Sequence, residues 1–186
     1  RLDAFRSRHP FVDLRLFTNN NRVDIAAEGL DYAIRFGQGA WHGIDALPLL
    51  EAPLSVLCAP QIARSLMKPE DVLAHRLLRS YRSDEWPQWL AAAGVRTGPG
   101  RTESIVFDSS LAMIEAALQG AGIALAPPAM FARHLATGAL QQPFPVSVTT
   151  GRYWLTRLQS RSDTAAMAAF RNWLLAEIGA ERPAPA

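Results

Sequence analysis

Apolar and polar positions along this chain form short runs whose period switches between two and about 3.6, the signature of strands alternating with helices. Residues 1–10 read as the end of an amphipathic helix stopped by Pro10, which implies sequence upstream of Arg1. Val12, Leu14 and Leu16 alternate through 11–17, predicting a strand. Thr18, Asn19, Asn20 and Asn21 are turn formers, and 23–29 reads as a short helix closed by Gly29. A strand over 31–36 leads into a glycine-rich loop over 37–43, and an extended apolar run covers 47–59, interrupted by Pro48 and Pro53.

The middle of the chain repeats the same logic. Short proline-initiated helices are expected over 60–66 and 69–75, a strand over 77–79, and a helix over 84–93 carrying Trp86 and Trp89. A loop covers 97–100, and a strand follows at 104–107. The 111–119 helix places Leu111, Ile114 and Leu118 on one face, ahead of a strand over 123–126. A helix over 128–136, a long strand over 151–158 and a final helix over 166–178, striped by Phe170, Leu174 and Ile178, complete the chain before a frayed tail. Strands alternating with helices imply an α/β protein with a helix-covered parallel sheet. The extended runs at 47–59 and 151–160 are natural crossovers. They divide the chain into a first lobe, 1–50 with 157–186, and a second, 51–156.

Composition narrows the class. At 186 residues, 49% hydrophobic and 19% charged, the chain can bury a core and is not disordered. A net charge of +2 makes no demand for nucleic acid. Arg22, Arg35, Arg152, Arg157 and Arg161 are cations that could flank an acidic ligand, although most surface arginines are simply solvated. The one cysteine, Cys58, sits in an apolar run and reads as a buried thiol in a reducing compartment. His9, His42, His75 and His134 show no metal-ligand spacing, so neither a metal nor another cofactor is expected. No run of about 18 apolar residues and no signal peptide is legible, so neither a membrane span nor secretion is expected.

The chemistry-bearing segment is 105–127: buried strand, polar turn, helix, glycine stop, buried strand. Asp108, Ser109 and Ser110 fall where strand gives way to helix, and the free N–H groups of a helix start favour a strongly polar or anionic ligand. The serines could equally cap the helix, and Asp108 could stiffen the turn through its own backbone bonds. Gly37 and Gly39 are expected to supply positive φ in their loop. Asp24 could cap the 23–29 helix, bond the preceding turn or touch ligand. Tyr153 could be core or ligand contact, with Trp154 on the opposite face as packing. Trp86 and Trp89 share a helix face and read as core or interface rather than as a sugar platform. A hydrolase built on Ser110, Asp108 and a histidine lacks a GxSxG elbow and a placed base. The pattern points to a small-molecule sensor rather than an enzyme.

Several motifs carry a resemblance: Asn19-Asn20-Asn21-Arg22-Val23-Asp24, 27–32, 39–42, 78–82 with 84–86, Val106-Phe107-Asp108-Ser109-Ser110, and 153–161. Over nearly its whole length the chain resembles the effector-binding domain of LysR-type transcriptional regulators, in particular the branch that regulates inducible β-lactamase. The resemblance implies two Rossmann-like lobes joined by two crossover strands, a plan shared with periplasmic binding proteins, with an effector cleft between them. It implies a cytoplasmic sensor of muramyl peptides: UDP-N-acetylmuramyl pentapeptide for repression, anhydro-muramyl peptides for activation. It also implies a homodimer through this domain, and promoter DNA bound only by an N-terminal helix-turn-helix domain that lies outside this sequence.

By motif, Ser110 with Ser109 matches the pocket serine turn and Tyr153 the pocket tyrosine. Asp24 matches an acidic switching position, with Asp108 and Gly37 as pocket support. The family's first strand and the following loop, which supplies a pocket threonine, have no counterpart in the sequence. A LysR-type domain for a different metabolite, or a solute-binding protein of the same two-lobe plan, remains the alternative.

Overall fold

The computed structural model describes residues 1–18, 24–96 and 103–181. The expected turn at Asn19, Asn20 and Asn21, together with Arg22, Val23, the 97–100 loop and the residues beyond 181, lies outside them.

In chain order the elements are α1 (Leu2–Arg8), β1 (Ala33–Gly37), β2 (Ile44–Glu51), β3 (Leu54–Leu57), α2 (Pro60–Ala63) and a 3₁₀ helix at Pro69–Ala74. Then come β4 (Leu77–Ser80), α3 (Glu85–Ala92), β5 (Ser104–Phe107), α4 (Ser110–Leu118), β6 (Ile123–Ala126) and a 3₁₀ turn at Pro128–Phe131. They end with α5 (Ala132–Ala136), β7 (Ser147–Val148), β8 (Arg152–Leu158) and α6 (Ala165–Glu181). They form two compact units: Arg1–Glu51 with Arg152–Ala186, and Ala52–Gly151.

The first unit holds a three-stranded sheet in the order β1-β8-β2, with both pairings antiparallel. The chain re-enters this unit at Arg152, and β8 inserts between two strands that run opposite to it. The parallel sheet expected from strand–helix alternation is therefore absent among its described residues. Pro48 lacks an N–H and sits in edge strand β2, where the register shifts between Pro48 and Leu50. Phe5 of α1 is fully buried, edge-on to Phe170 at 5.9 Å and tilted against Trp173 at 4.8 Å. Tyr32 donates to Asp163, which also pairs with Arg171, tying the segment before β1 to α6.

Two expectations fail here. Residues 11–17 form no ladder: Phe11 lies in a turn, and 12–17 adopt no regular element. An open groove of about 550 Å³, lined by Val12, Leu14, Phe17, Ile34, Leu155 and Phe170 among others, separates them from β1. A strand needs a partner edge about 4.8 Å away, and none is present among the described residues. The described part of the 23–29 helix is a series of turns: Glu28 N–H bonds Asp24 C=O and Gly29 N–H bonds Ala26 C=O.

The second unit contains a five-stranded sheet ordered β5-β4-β6-β3-β7. β4 runs parallel to β5 and β6, while β3 is antiparallel to β6 and β7. The apolar runs predicted around β3 and β6, with Ser55 the one polar residue in them, are buried throughout, as befits strands covered on both faces. Period-two alternation sorts their residues between two cores. Val56, Leu77, Ile123 and Leu125 join Trp86, Trp89 and Leu90 of α3. Leu57, Leu78, Ala124 and Ala126 join Met113, Ile114 and Ala117 of α4. The single extended run expected at 47–59 is two strands of different sheets, broken at Ala52-Pro53.

Candidate functional site

β5 ends at Phe107, and α4 begins at Ser110. Ser109 is its N-cap in extended backbone, and the Ser109 hydroxyl accepts the N–H of Ala112 at 3.5 Å. That bond fulfils the capping role. Ser110 is the first helical residue; it is half-buried, and its hydroxyl has no hydrogen-bond partner among the described residues. Asp108 is exposed, and its carboxylate makes no bond to the turn, so the stiffening role expected of it is not seen.

Tyr153 and Gly37 lie on neighbouring strands of the first unit. Tyr153 is directly across from Phe36, with the two rings edge-to-face at 5.3 Å. It is half-buried, so the ring packs while part of it meets solvent. Gly37 ends β1 without a positive φ, contrary to expectation; its carbonyl accepts the Trp154 indole N–H at 2.9 Å, and a Cβ would lie 3.1 Å from Trp41. Gly39 does adopt positive φ, at 88°. Trp154 meets Trp41 edge-to-face at 6.3 Å, so it packs as expected. Asp24 caps the first turn after it: its Oδ1 accepts the N–H groups of Ala26 at 3.0 Å and Ala27 at 3.1 Å.

Four of the five candidate arginines are committed within the protein, and Arg22 lies outside the described residues. Arg35 lies over Trp41, Arg152 pairs with Glu51, Arg157 with Asp45 and Arg161 with Asp31. Trp86 and Trp89 are core, their indole N–H groups bonded to the carbonyls of Leu78 and Val146. Cys58 is fully buried, and burial pushes its thiol pKa up to about 11. Among the described residues no group of three or more His, Cys, Asp or Glu is placed to hold a metal, and no helix is long and apolar enough to cross a membrane.

One group escaped the sequence reading. Glu85 at the start of α3 is only 3% exposed. Its Oε2 accepts the Ser80 hydroxyl at 2.6 Å, and Arg82 approaches its Oε1 at 3.8 Å. Burial raises its pKa against the lowering effects of Ser80 and Arg82. Paired acids at a helix start ordinarily read as solvated partners of the helix dipole, so nothing local marked Glu85 as buried.

The LysR substrate binding domain model matches residues 1–179. The chain belongs to the LysR substrate-binding domain family. This LysR domain is 66% identical over 175 residues to the HTH-type transcriptional activator AmpR of Pseudomonas aeruginosa, covering 94% of this chain and 59% of that protein. The chain thus spans about three-fifths of the length of the relatives it matches. The solved effector domain of Pseudomonas aeruginosa AmpR superposes with a TM-score of 0.91 at 65% identity, covering 97% of this chain and 88% of that one. A Citrobacter freundii effector-binding domain with threonine-to-valine, serine-to-alanine and tyrosine-to-phenylalanine substitutions superposes at 0.92, with 46% identity, covering 95% and 89%. The two-lobe α/β plan of LysR effector domains is therefore the fold of this chain.

Proposed function

We propose that this LysR domain is the effector sensor of a regulator of β-lactamase expression, and that it binds muramyl peptides through the hydroxyls of Ser110 and Tyr153. The carrying observation is the Ser110 hydroxyl, unbonded at the first turn of a nine-residue helix. A hydroxyl there can donate to an oxygen of the ligand while nearby free backbone N–H groups bind the same polar region. The Citrobacter freundii variant supports the reading. Its substituted serine and tyrosine are separated by the same interval as Ser110 and Tyr153, and each substitution removes a hydroxyl.

Ser109 supports this turn by capping α4, and Asp24 orders the segment ahead of β1. Gly37 supports β8 through the Trp154 bond. No step of bond-making is assigned to any residue. Ligands that favour different arrangements of the regulator shift its population by no more than their differential affinity, and such couplings are about 1–3 kcal/mol. In the intact regulator we assign dimerisation to this domain, promoter binding to a separate helix-turn-helix domain, and action to the cytoplasm. The alternative is a LysR-type sensor of another metabolite.

Calorimetry with UDP-N-acetylmuramyl pentapeptide tests the proposal. Saturable binding that weakens in Ser110→Ala and in Tyr153→Phe is expected. Binding unchanged by both substitutions overturns the site, and no binding to folded protein overturns the ligand.

A further inference from the structure

We propose that Tyr81 is a stacking platform for a planar, carbonyl-bearing ring of the effector, of the uracil type, at the carboxyl edge of the second unit's sheet. It makes the domain discriminate nucleotide-bearing ligands from nucleotide-free ones. The inference rests on the proposed muramyl-peptide reading only for the identity of the ligand that carries the ring.

The argument starts from topology. β5 and β6 flank β4 and run parallel to it, so all three strands end at one edge. Successive connections run in opposite directions: β4 passes through α3 to β5, and β5 passes through α4 across to the far side of β4. Such a reversal leaves the loop after the central strand uncovered, and open α/β sheets bind ligands at that point. Tyr81 is the first residue of that loop. Ser80 ends β4 directly across from Phe107, which ends β5. Tyr81 and the Asp108-Ser109-Ser110 turn therefore leave the same edge from neighbouring strands.

The ring is exposed but not loose. Tyr81 is 59% exposed, whereas Trp86 and Trp89 of the following helix are buried. The Arg82 guanidinium lies over the Tyr81 ring, 4.8 Å from its centre. Arg82 is itself anchored: its backbone N–H donates to Ser80 Oγ at 3.1 Å, and its Nη1 is 3.8 Å from the buried Glu85 carboxylate. Ser80 in turn donates to Glu85 at 2.6 Å. The cation is thus committed within its own unit and backs the ring. A ring held in advance loses little freedom when a second ring lands on it.

The charge behind the ring selects what lands. An aromatic face is negative and attracts cations and the positive edges of C–H groups. A guanidinium on one side draws the π electrons toward itself and leaves the outer face less negative. That face holds a sugar's C–H groups or a second cation poorly. It suits a planar group whose carbonyl oxygens lie over the electron-depleted ring. UDP-N-acetylmuramyl pentapeptide carries such a group in its base, and anhydro-muramyl peptides do not.

The test uses the whole chain. Both ligands are titrated by calorimetry into the wild type, Tyr81→Ala and Tyr81→Phe, each checked for an unaltered unfolding transition. Tyr81→Ala is expected to weaken the UDP-bearing ligand roughly five- to a hundredfold, the scale of one base–aromatic stack, and to leave the anhydro-muramyl peptide unchanged. Tyr81→Phe keeps the ring and should keep most of the affinity. UDP-ligand binding that is the same in Tyr81→Ala and wild type overturns the inference and leaves the muramyl-peptide reading standing. An equal loss for both ligands also overturns it, because a general structural defect would do the same.

Where either ligand fails to bind wild type, the base alone decides. The chain has three tyrosines, so 3-fluorotyrosine labelling gives few fluorine NMR signals, and Tyr81→Phe assigns the one from Tyr81. A shift of that signal with millimolar UMP and none with ribose 5-phosphate upholds the stacking site, even if failure of the pentapeptide to bind has removed the muramyl-peptide reading. No shift with UMP, or the same shift with both, overturns the inference.

Discussion

Trp154 occupies the space that a side chain on Gly39 would need. A Cβ built there would lie 2.4 Å from the indole, and the backbone has φ +88°. The indole N–H is meanwhile bonded to the carbonyl of Gly37 at 2.9 Å, which pins the ring against the loop. Gly39→Ala therefore combines backbone strain with a clash, and is expected to destabilise by about 3 kcal/mol. Gly43 has φ +68° with nothing within 4 Å of its Cβ position. Gly43→Ala should cost only about 1 kcal/mol. Chemical denaturation of both variants checks the difference, and equal losses would show that the indole moves aside.

The two serines of the β5–α4 turn should separate stability from binding. Ser109→Ala removes the cap of α4 and is expected to cost about 0.5–1 kcal/mol, the low end because the bond is long. Ser110→Ala breaks no protein hydrogen bond and should leave stability within about 0.5 kcal/mol, while weakening muramyl-peptide binding. Thermal unfolding and calorimetry on the same two variants read both quantities.

Glu85 should make the protein less stable as pH rises. Its folded-state pKa is raised by burial, so between the ordinary glutamate range and that raised value the folded chain binds more protons than the unfolded one. Stability then falls with increasing pH across that window. Glu85→Gln cannot ionise and can still accept the Ser80 hydroxyl. The difference in unfolding free energy between wild type and Glu85→Gln is expected to move in favour of the variant from acid to neutral pH. A difference that does not change with pH would refute the shift.

Cys58 should be inert while the protein is folded. It is fully buried in the α3-side core, with its thiol pushed up to about 11. At pH 8 the thiolate fraction is minute and the sulfur inaccessible. Iodoacetamide labelling followed by mass spectrometry should show no adduct in native buffer and complete reaction in denaturant. Rapid native labelling would mean that β3 opens readily.

Much of the second unit was legible from local pattern. The apolar runs of β3 and β6 and the strand–turn–helix at Phe107 to Ser110 follow from neighbours within a few residues. The unbonded hydroxyl of Ser110 was not itself legible, because the sequence shows two adjacent serines and only the helix start decides which one caps. Residues 11–17 misled for a different reason. Their alternation is that of a strand, yet a strand exists only where a second edge meets it, and here a groove does.

By itself the amino-acid order determined most of the second unit's helices and strands, the apolar runs of β3 and β6 that enter its cores, and the family motifs around Asp24, Ser110 and Tyr153. Tertiary structure alone decided that β8 runs antiparallel between β1 and β2, that Arg152, Arg157 and Arg161 pair with Glu51, Asp45 and Asp31, and that Glu85 is buried beside Arg82. The division has a physical cause. Periodicity, capping and turn chemistry depend on neighbours a few residues apart, whereas strand direction, burial of a charge and choice of ion-pair partner depend on segments that meet only after the chain has folded.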